Sequence, residues 1–229
     1  MSYIVSLLNQ KGGVGKTTLA INLAACFSLA DESVLYIDAD PQGTALDWSA
    51  IRQQKPLFNV VGLPKNTLHR DLPSLSEPYH WTLIDGPPLV FDVAKSAIMA
   101  SHLVIIPVQP SGPDIWSAKK IVELVSEATA FKPDLRAVLA VNRKTVGTAI
   151  AKHFREDLAT AFPGVPILSA EISQRVIFAE SNSTGTTVLE MEPKGQAAKE
   201  ITALAQEIKE CSSYEQKNRR QTKTAARSF

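Results

Sequence analysis

The chain has 229 residues, 45% hydrophobic and 21% charged, with a formal net charge of +1. That composition suits a globular protein long enough to bury one substantial α/β core, and excludes a uniformly basic nucleic-acid binder. No apolar run approaches the roughly 20 residues that a membrane span needs.

An apolar run, Tyr3–Leu8, reads as a buried strand. It starts the chain with neither the basic region nor the cleavage site of a signal peptide. Lys11-Gly12-Gly13-Val14-Gly15-Lys16-Thr17-Thr18 follows, and then a helical pattern over Gly15–Ala30. Glycines let backbone N–H groups turn inward around an anion, and a helix start behind them favours negative charge. In such a loop Lys16 reaches the β- and γ-phosphates of a nucleotide, and the Thr17 hydroxyl ligates Mg²⁺. Lys11 has no task in that mechanism within one subunit.

Val34–Ile37 reads as the second strand, ending in Asp38-Ala39-Asp40-Pro41-Gln42-Gly43. Asp38 and Asp40 share a side if strand geometry persists. One carboxylate near Mg²⁺ and another near the attacking water suit phosphoryl transfer, whereas an Asx turn before Pro41 is the plain alternative. A helix over Thr44 to about Gln53, an edge strand at Leu57–Leu63 and a short helix at His69–Leu75 come next. Trp81–Ile84 is a buried strand ending in Asp85-Gly86-Pro87-Pro88. A carboxylate there, beside a phosphate loop, has the Walker B placement and holds Mg²⁺, usually through water.

Asp92–Ala100 is helical and Leu103–Pro107 is a strand. Ser111-Gly112-Pro113-Asp114 opens a helix with Ile115, Ala118, Val122, Val125 and Ala128 at three- and four-residue steps. Arg136–Val141 is a strand, and Asn142 at its end reads either as a base contact or as a turn residue. Thr148–Ala161 is a helix, Val165–Leu168 a last strand, Gln174–Asn182 a turn or two of helix, and Gln196–Lys209 an amphipathic helix. Strands alternating with helices imply a doubly wound α/β fold, a mainly parallel sheet with helices on both faces. Every motif lies at a strand's carboxyl end, where such folds bind ligands.

Beyond residue 212 the character changes. Residues 214–229 carry Lys217, Arg219, Arg220, Lys223 and Arg227 against Glu215, a net +4 that leaves −3 over 1–213. The stretch 213–229 reads as a basic, disordered tail on a single domain spanning 1–212. Of the two cysteines, Cys26 reads as a small core residue and Cys211 stands near the tail; such sparse usage suits a reducing compartment.

The octet Lys11–Thr18 resembles the deviant Walker A box of the ParA/MinD ATPases, and the likeness extends over about residues 3–209. It implies a P-loop ATPase that uses ATP and Mg²⁺, with Lys11, Lys16 and Asp40 in catalysis. Lys11–Thr18 and Asn142 would bind nucleotide, and Thr17, Asp38 and Asp85 would serve the metal. Lys11 would cross to the phosphates of a second copy in an ATP-sandwich dimer. Asp38–Gly43 corresponds to switch I and Gly86-Pro87-Pro88 to switch II. Ile172-Ser173-Gln174-Arg175 is similar to a pattern of the small partition ATPases, which makes Arg175, Lys194 and Lys199, with Lys209 and the tail, candidates for non-specific DNA contacts.

The resemblance thus implies a cytoplasmic, nucleoid-associated ATPase that positions a cargo and is stimulated by a ParB-like or cargo-adaptor protein. No helix-turn-helix extension precedes the loop, so operator reading is not expected. Two alternatives stand beside it. A MinD-like membrane ATPase needs a bulky apolar face that the tail lacks, so no membrane partner is expected. A small-substrate metabolic ATPase on the same scaffold remains. An iron–sulfur switch lacks suitably placed cysteines.

Overall fold

The computed structural model describes residues 2–88 and 90–226, with side chains through Ser213. Six strands, β1 (Tyr3–Leu7), β2 (Val34–Asp38), β3 (Asn59–Gly62), β4 (Trp81–Asp85), β5 (Leu103–Val108) and β6 (Arg136–Val141), form one sheet in the order β3-β2-β4-β1-β5-β6. Every pairing is parallel. The expected doubly wound α/β architecture is what the chain adopts. Because β1 lies inside the sheet between β4 and β5, the loop after it opens at the sheet's centre.

Nine helices are described: α1 (Lys16–Leu29), α2 (Thr44–Ile51), α3 (Leu68–Leu75), α4 (Phe91–Ala100), α5 (Gly112–Thr129), α6 (Ala149–Ala161), α7 (Val176–Ser183), α8 (Val188–Met191) and α9 (Gln196–Ala226). Strand residues alternate between two apolar layers. Tyr3, Val5, Leu7, Tyr36 and Leu83 face α1 and α9. Ile4, Leu35, Ile37, Ile84 and Val104 face the layer built with α4, α5 and α6. The four central strands are buried throughout, as a parallel sheet covered on both faces requires.

Several boundaries differ from expectation. The edge strand contracts to β3. Helix α2 stops at Ile51, because Arg52 is extended (φ −64°, ψ 126°). The expected strand Val165–Leu168 is reduced to a single parallel bridge between Leu139 and Ile167. Pro166 has no N–H to donate, so a ladder cannot propagate through it. Helix α7 begins at Val176, two residues later than the pattern suggested, and α8 was not anticipated. Its N-cap Thr187 forms a capping box with Glu190. Cys26 is half-buried and packs in the α1–α9 layer. Backbone helix continues in α9 to Ala226 through most of the stretch expected to be disordered. The side chains from 214 onward, and residues 227–229 altogether, lie outside the described residues.

Candidate functional site

The loop between β1 and α1 is held from four directions. Asn9 donates from Nδ2 to the Pro107 carbonyl (2.8 Å), and its Oδ1 accepts from the Lys11 N–H (3.0 Å). Gln109 Nε2 donates to the Gly13 carbonyl (3.0 Å), and Asn142 Nδ2 to the Val14 carbonyl (2.7 Å). Lys16 turns back so that its Nζ donates to the Lys11 carbonyl (3.2 Å). Gly15 caps α1 with φ 89°, and a Cβ there would stand 2.4 Å from Asn142 Nδ2. Only glycine satisfies both demands. The unpaired N–H groups of the α1 start and the Gly13–Gly15 turn thus surround one point, with the ammonium of Lys16 beside it. Burial lowers the pKa of Lys16, while Asp85 and Asp40 pull it upward.

Lys11 takes a different course from Lys16. Its Nζ is 2.7 Å from Asp114 Oδ2, and its side chain is 42% exposed while that of Asp114 is 1% exposed. Asp114 stands in the first turn of α5, whose N-cap is Ser111; the Ser111 hydroxyl donates to the same carboxylate. Sequence reasoning marked these residues as a helix start and gave Asp114 no partner.

The three aspartates divide their work unequally. Asp38 and Asp85 are register partners on β2 and β4. Asp38 Oδ2 accepts from the N–H groups of Ala45 (2.9 Å) and Leu46 (3.2 Å), and its Oδ1 from that of Asp40 (3.2 Å). Oδ2 therefore anchors the first turn of α2 while Oδ1 fixes the turn at Asp40, an assignment the sequence reading did not make. Asp40 makes an Asx-type turn to the Gln42 N–H (3.0 Å). Asp85 is buried, and neither of its oxygens meets a hydrogen-bond partner at ordinary geometry. Burial first, and the nearby Asp38 next among the raising influences, lift its pKa to about 7; the Thr17 hydroxyl, Lys16 and Tyr36 oppose that rise.

Two buried carboxylate oxygens with no hydrogen bond at ordinary geometry, beside the Thr17 hydroxyl, fit a hard cation. No group of three or more His, Cys, Asp or Glu is arranged to hold a metal among the described residues. A cation here would complete its shell with water and phosphate oxygens, as Mg²⁺ prefers.

Beside the loop lies a cavity of about 450 Å³ lined by Gly15, Thr18, Asn142, Arg143, Arg175 and Asn182 among others. Arg143 holds φ 51°, in the left-handed region. Asn182 Nδ2 donates to Thr18 Oγ1 (3.0 Å), whereas Asn182 Oδ1 and Arg175 Nε are buried without partners. The cavity thus lies next to a phosphate-type loop and is walled by amide and guanidinium side chains, which suits a polar heterocycle.

Arg175, a candidate for DNA contact in the sequence, lines this cavity and pairs with Glu200 (3.0 Å). Lys209 pairs with Glu32 (3.1 Å) and lies over the Phe27 ring. Lys194 and Lys199 are exposed. No helix among the described residues is long and apolar enough to cross a membrane.

A family model described as the CobQ/CobB/MinD/ParA nucleotide binding domain matches residues 5–188. The chain is 27% identical over 216 residues to the maintenance of carboxysome distribution protein A of Halothiobacillus neapolitanus, covering 90% of this chain and 96% of that one. It is 28% identical over 235 residues to the chromosome-partitioning ATPase Soj of Thermus thermophilus, covering 89% and 94%. Among solved structures, the septum site-determining protein MinD of Pyrococcus horikoshii OT3, complexed with Mg-ADP, superposes with a TM-score of 0.75 at 20% identity, covering 94% and 99%.

Proposed function

The chain belongs to the CobQ/CobB/MinD/ParA nucleotide-binding family, and from that premise we propose that it is a ParA-type positioning ATPase. It binds ATP, closes into a dimer over two nucleotides, binds DNA without reading sequence, and releases it on hydrolysis stimulated by an adaptor on its cargo. Support for a positioning role comes from relatives named for carboxysome distribution and chromosome partitioning.

The observation that carries the dimer is the division between the two lysines. Lys16 is buried against its own loop, and Lys11 extends to the rim. Around that rim the starts of α4, α5, α6 and α7 carry exposed Val90, Phe91, Trp116, Val146, Ile150 and Val176. Helix starts in a parallel sheet lie at the strands' carboxyl ends, the end at which the phosphate loop also opens. Exposed apolar side chains gathered on one face suit a self-complementary interface.

Within one subunit, Lys16 and the loop amides neutralise the β- and γ-phosphates, and Lys11 of the other copy adds a further cation. Mg²⁺ would be held by the Thr17 hydroxyl and, through water, by Asp85, and would neutralise charge on the phosphate oxygens. Asp40 orients the attacking water. Asp38 holds α2 in register with it through the backbone amides it accepts. The nucleoside occupies the cavity, with Asn142, Arg175 and Asn182 at its wall. Arg175 serves that cavity more than DNA, since it points there and is paired. Lys194 and Lys199 remain the exposed candidates for phosphate contacts, whose binding would weaken steeply with salt.

Sedimentation with a non-hydrolysable ATP analogue and Mg²⁺ tests the reading. Wild type is expected to sediment as a dimer, and Lys11→Ala as a monomer with unchanged nucleotide affinity. A wild type that stays monomeric, or a Lys11→Ala that pairs normally, would overturn it.

A further inference from the structure

Tyr36 lies on β2 two residues before Asp38, and its register partner Leu83 lies two residues before Asp85. Residues two apart on a strand share a face. The phenol is therefore on the face of both carboxylates, one diagonal step from Asp85, and aromatic side chains span such a step. The ring is fully buried and stacks on Phe58 at 5.8 Å, which in turn stacks on Trp48 at 5.6 Å. The hydroxyl, like both oxygens of Asp85, is buried with no hydrogen-bond partner at ordinary geometry.

A core that needed only an apolar ring would be better served by phenylalanine, because a buried hydroxyl without a well-formed hydrogen bond is destabilising. Three buried polar atoms meet at one spot, one a donor and two acceptors; the phenol is already near enough to oppose the rise in the Asp85 pKa, and a small shift of Asp85 brings the pair to ordinary hydrogen-bond geometry. Such a shift is expected when a cation arrives on the other side of the carboxylate. The groups facing Asp85 are then Lys16 and Thr17 from α1, and Asp38 and Tyr36 from β2.

We propose that Tyr36 is a positioning residue for the metal site: its hydroxyl donates to one oxygen of Asp85 and so aims the other toward the Thr17 hydroxyl and the cation between them. This rests on the nucleotide–Mg²⁺ reading above. It assigns a task within that site to a residue two positions upstream of the aspartate motif. Partners of a metal-binding carboxylate fix its orientation and commonly matter almost as much as the ligand itself.

The test is Tyr36→Phe, which keeps the ring and its stacking and removes one oxygen. ADP affinity is measured by fluorescence in EDTA and then across a Mg²⁺ titration, with thermal melting alongside. The expected result is an unchanged affinity without metal, an unchanged or higher Tm, and a rise of about tenfold in half-saturating Mg²⁺. The same substitution placed on Asp85→Asn should add nothing. Equal losses with and without Mg²⁺ would mark a packing effect and overturn the assignment. So would a Mg²⁺ response identical to wild type. A wild type whose ADP affinity ignores Mg²⁺ would instead overturn the nucleotide-site reading, and this assignment with it.

Discussion

Asp114→Asn is expected to tighten the analogue-loaded dimer. In the isolated chain Lys11 donates to a carboxylate that is 1% exposed, so it cannot reach a second copy without leaving that carboxylate behind. Only the Ser111 hydroxyl would then remain on Asp114 Oδ2, while Oδ1 already lacks a partner. A charge-assisted hydrogen bond contributes about 1.5–3 kcal/mol, and a neutral one about 0.5–1.5 kcal/mol. Replacing Asp by Asn therefore lowers the cost of release by roughly 1–1.5 kcal/mol per subunit, since no buried charge is abandoned. Two subunits must each release a lysine, so the dimer gains roughly 2–3 kcal/mol, or about 30- to 150-fold in its dissociation constant. Sedimentation equilibrium with a non-hydrolysable ATP analogue and Mg²⁺, for wild type and Asp114→Asn, reads this directly. Nucleotide affinity of the monomer should not move. A dissociation constant that is unchanged or larger in Asp114→Asn would refute the reasoning, because Lys11 would then not be leaving Asp114 on pairing.

Two further outcomes are specific. Asp85 has a folded pKa of about 7 against an ordinary 3.8, chiefly through burial. The folded chain thus holds that proton more tightly than the unfolded one. Its contribution is full below about pH 4 and is lost as pH rises to 7, at up to about 1.4 kcal/mol per pH unit. Melting without nucleotide between pH 4.5 and 8 should show this decline, and Asp85→Asn should flatten it; an equal slope in the variant would exclude Asp85 as the source. Gly15→Ala should cost at least about tenfold in nucleotide affinity while circular dichroism stays native. An alanine there must hold φ 89° at about 1–2 kcal/mol and displace Asn142 from a 2.4 Å approach.

Much of the fold was legible because its strands are short and apolar, and each motif falls where a strand ends. The failures have local causes. Pro166 limits the expected seventh strand to a bridge, which composition alone hides because Val165, Ile167 and Leu168 read as strand. Helix α8 is only four residues long, too short for periodicity to register. In the site, Lys11–Thr18 and Asp85 were readable because their chemistry is bound to a contiguous pattern. Asp114, Gln109 and Tyr36 were not, because each reaches the loop or Asp85 from a distant part of the sequence, and Asn9 was not because its anchor, the Pro107 carbonyl, lies on β5. Asp38 could be read as a carboxylate beside a metal, but its hold on the N–H groups of Ala45 and Leu46 exists only once α2 has folded over it.

That hold matters for how the site communicates. Helix α2 is anchored at its start by Asp38 and is followed by Arg52, whose guanidinium donates to the Gly185 carbonyl (2.9 Å) and to both oxygens of Glu190 (3.0 and 2.5 Å). Trp48 Nε1 donates to the Thr186 carbonyl (3.0 Å). Gly185 is pressed so closely against α2 that an added Cβ would meet the Arg52 backbone at 2.7 Å. The same segment touches α1: Asn182 donates to Thr18, and Asn22 Oδ1 accepts from the Val188 N–H (3.0 Å). Residues 182–190 thus join the helix that starts on Asp38 to the helix that starts at the phosphate loop. Any displacement of α2 must carry this segment with it or break a largely buried bidentate ion pair, which costs about 3–5 kcal/mol when one partner is left behind. The first course is cheaper, since 182–190 is a short stretch outside the sheet while β2 is buried and paired on both sides. A displacement of α2 is therefore expected to move residues 182–190, and with them Asn182 at the cavity wall, before it moves β2.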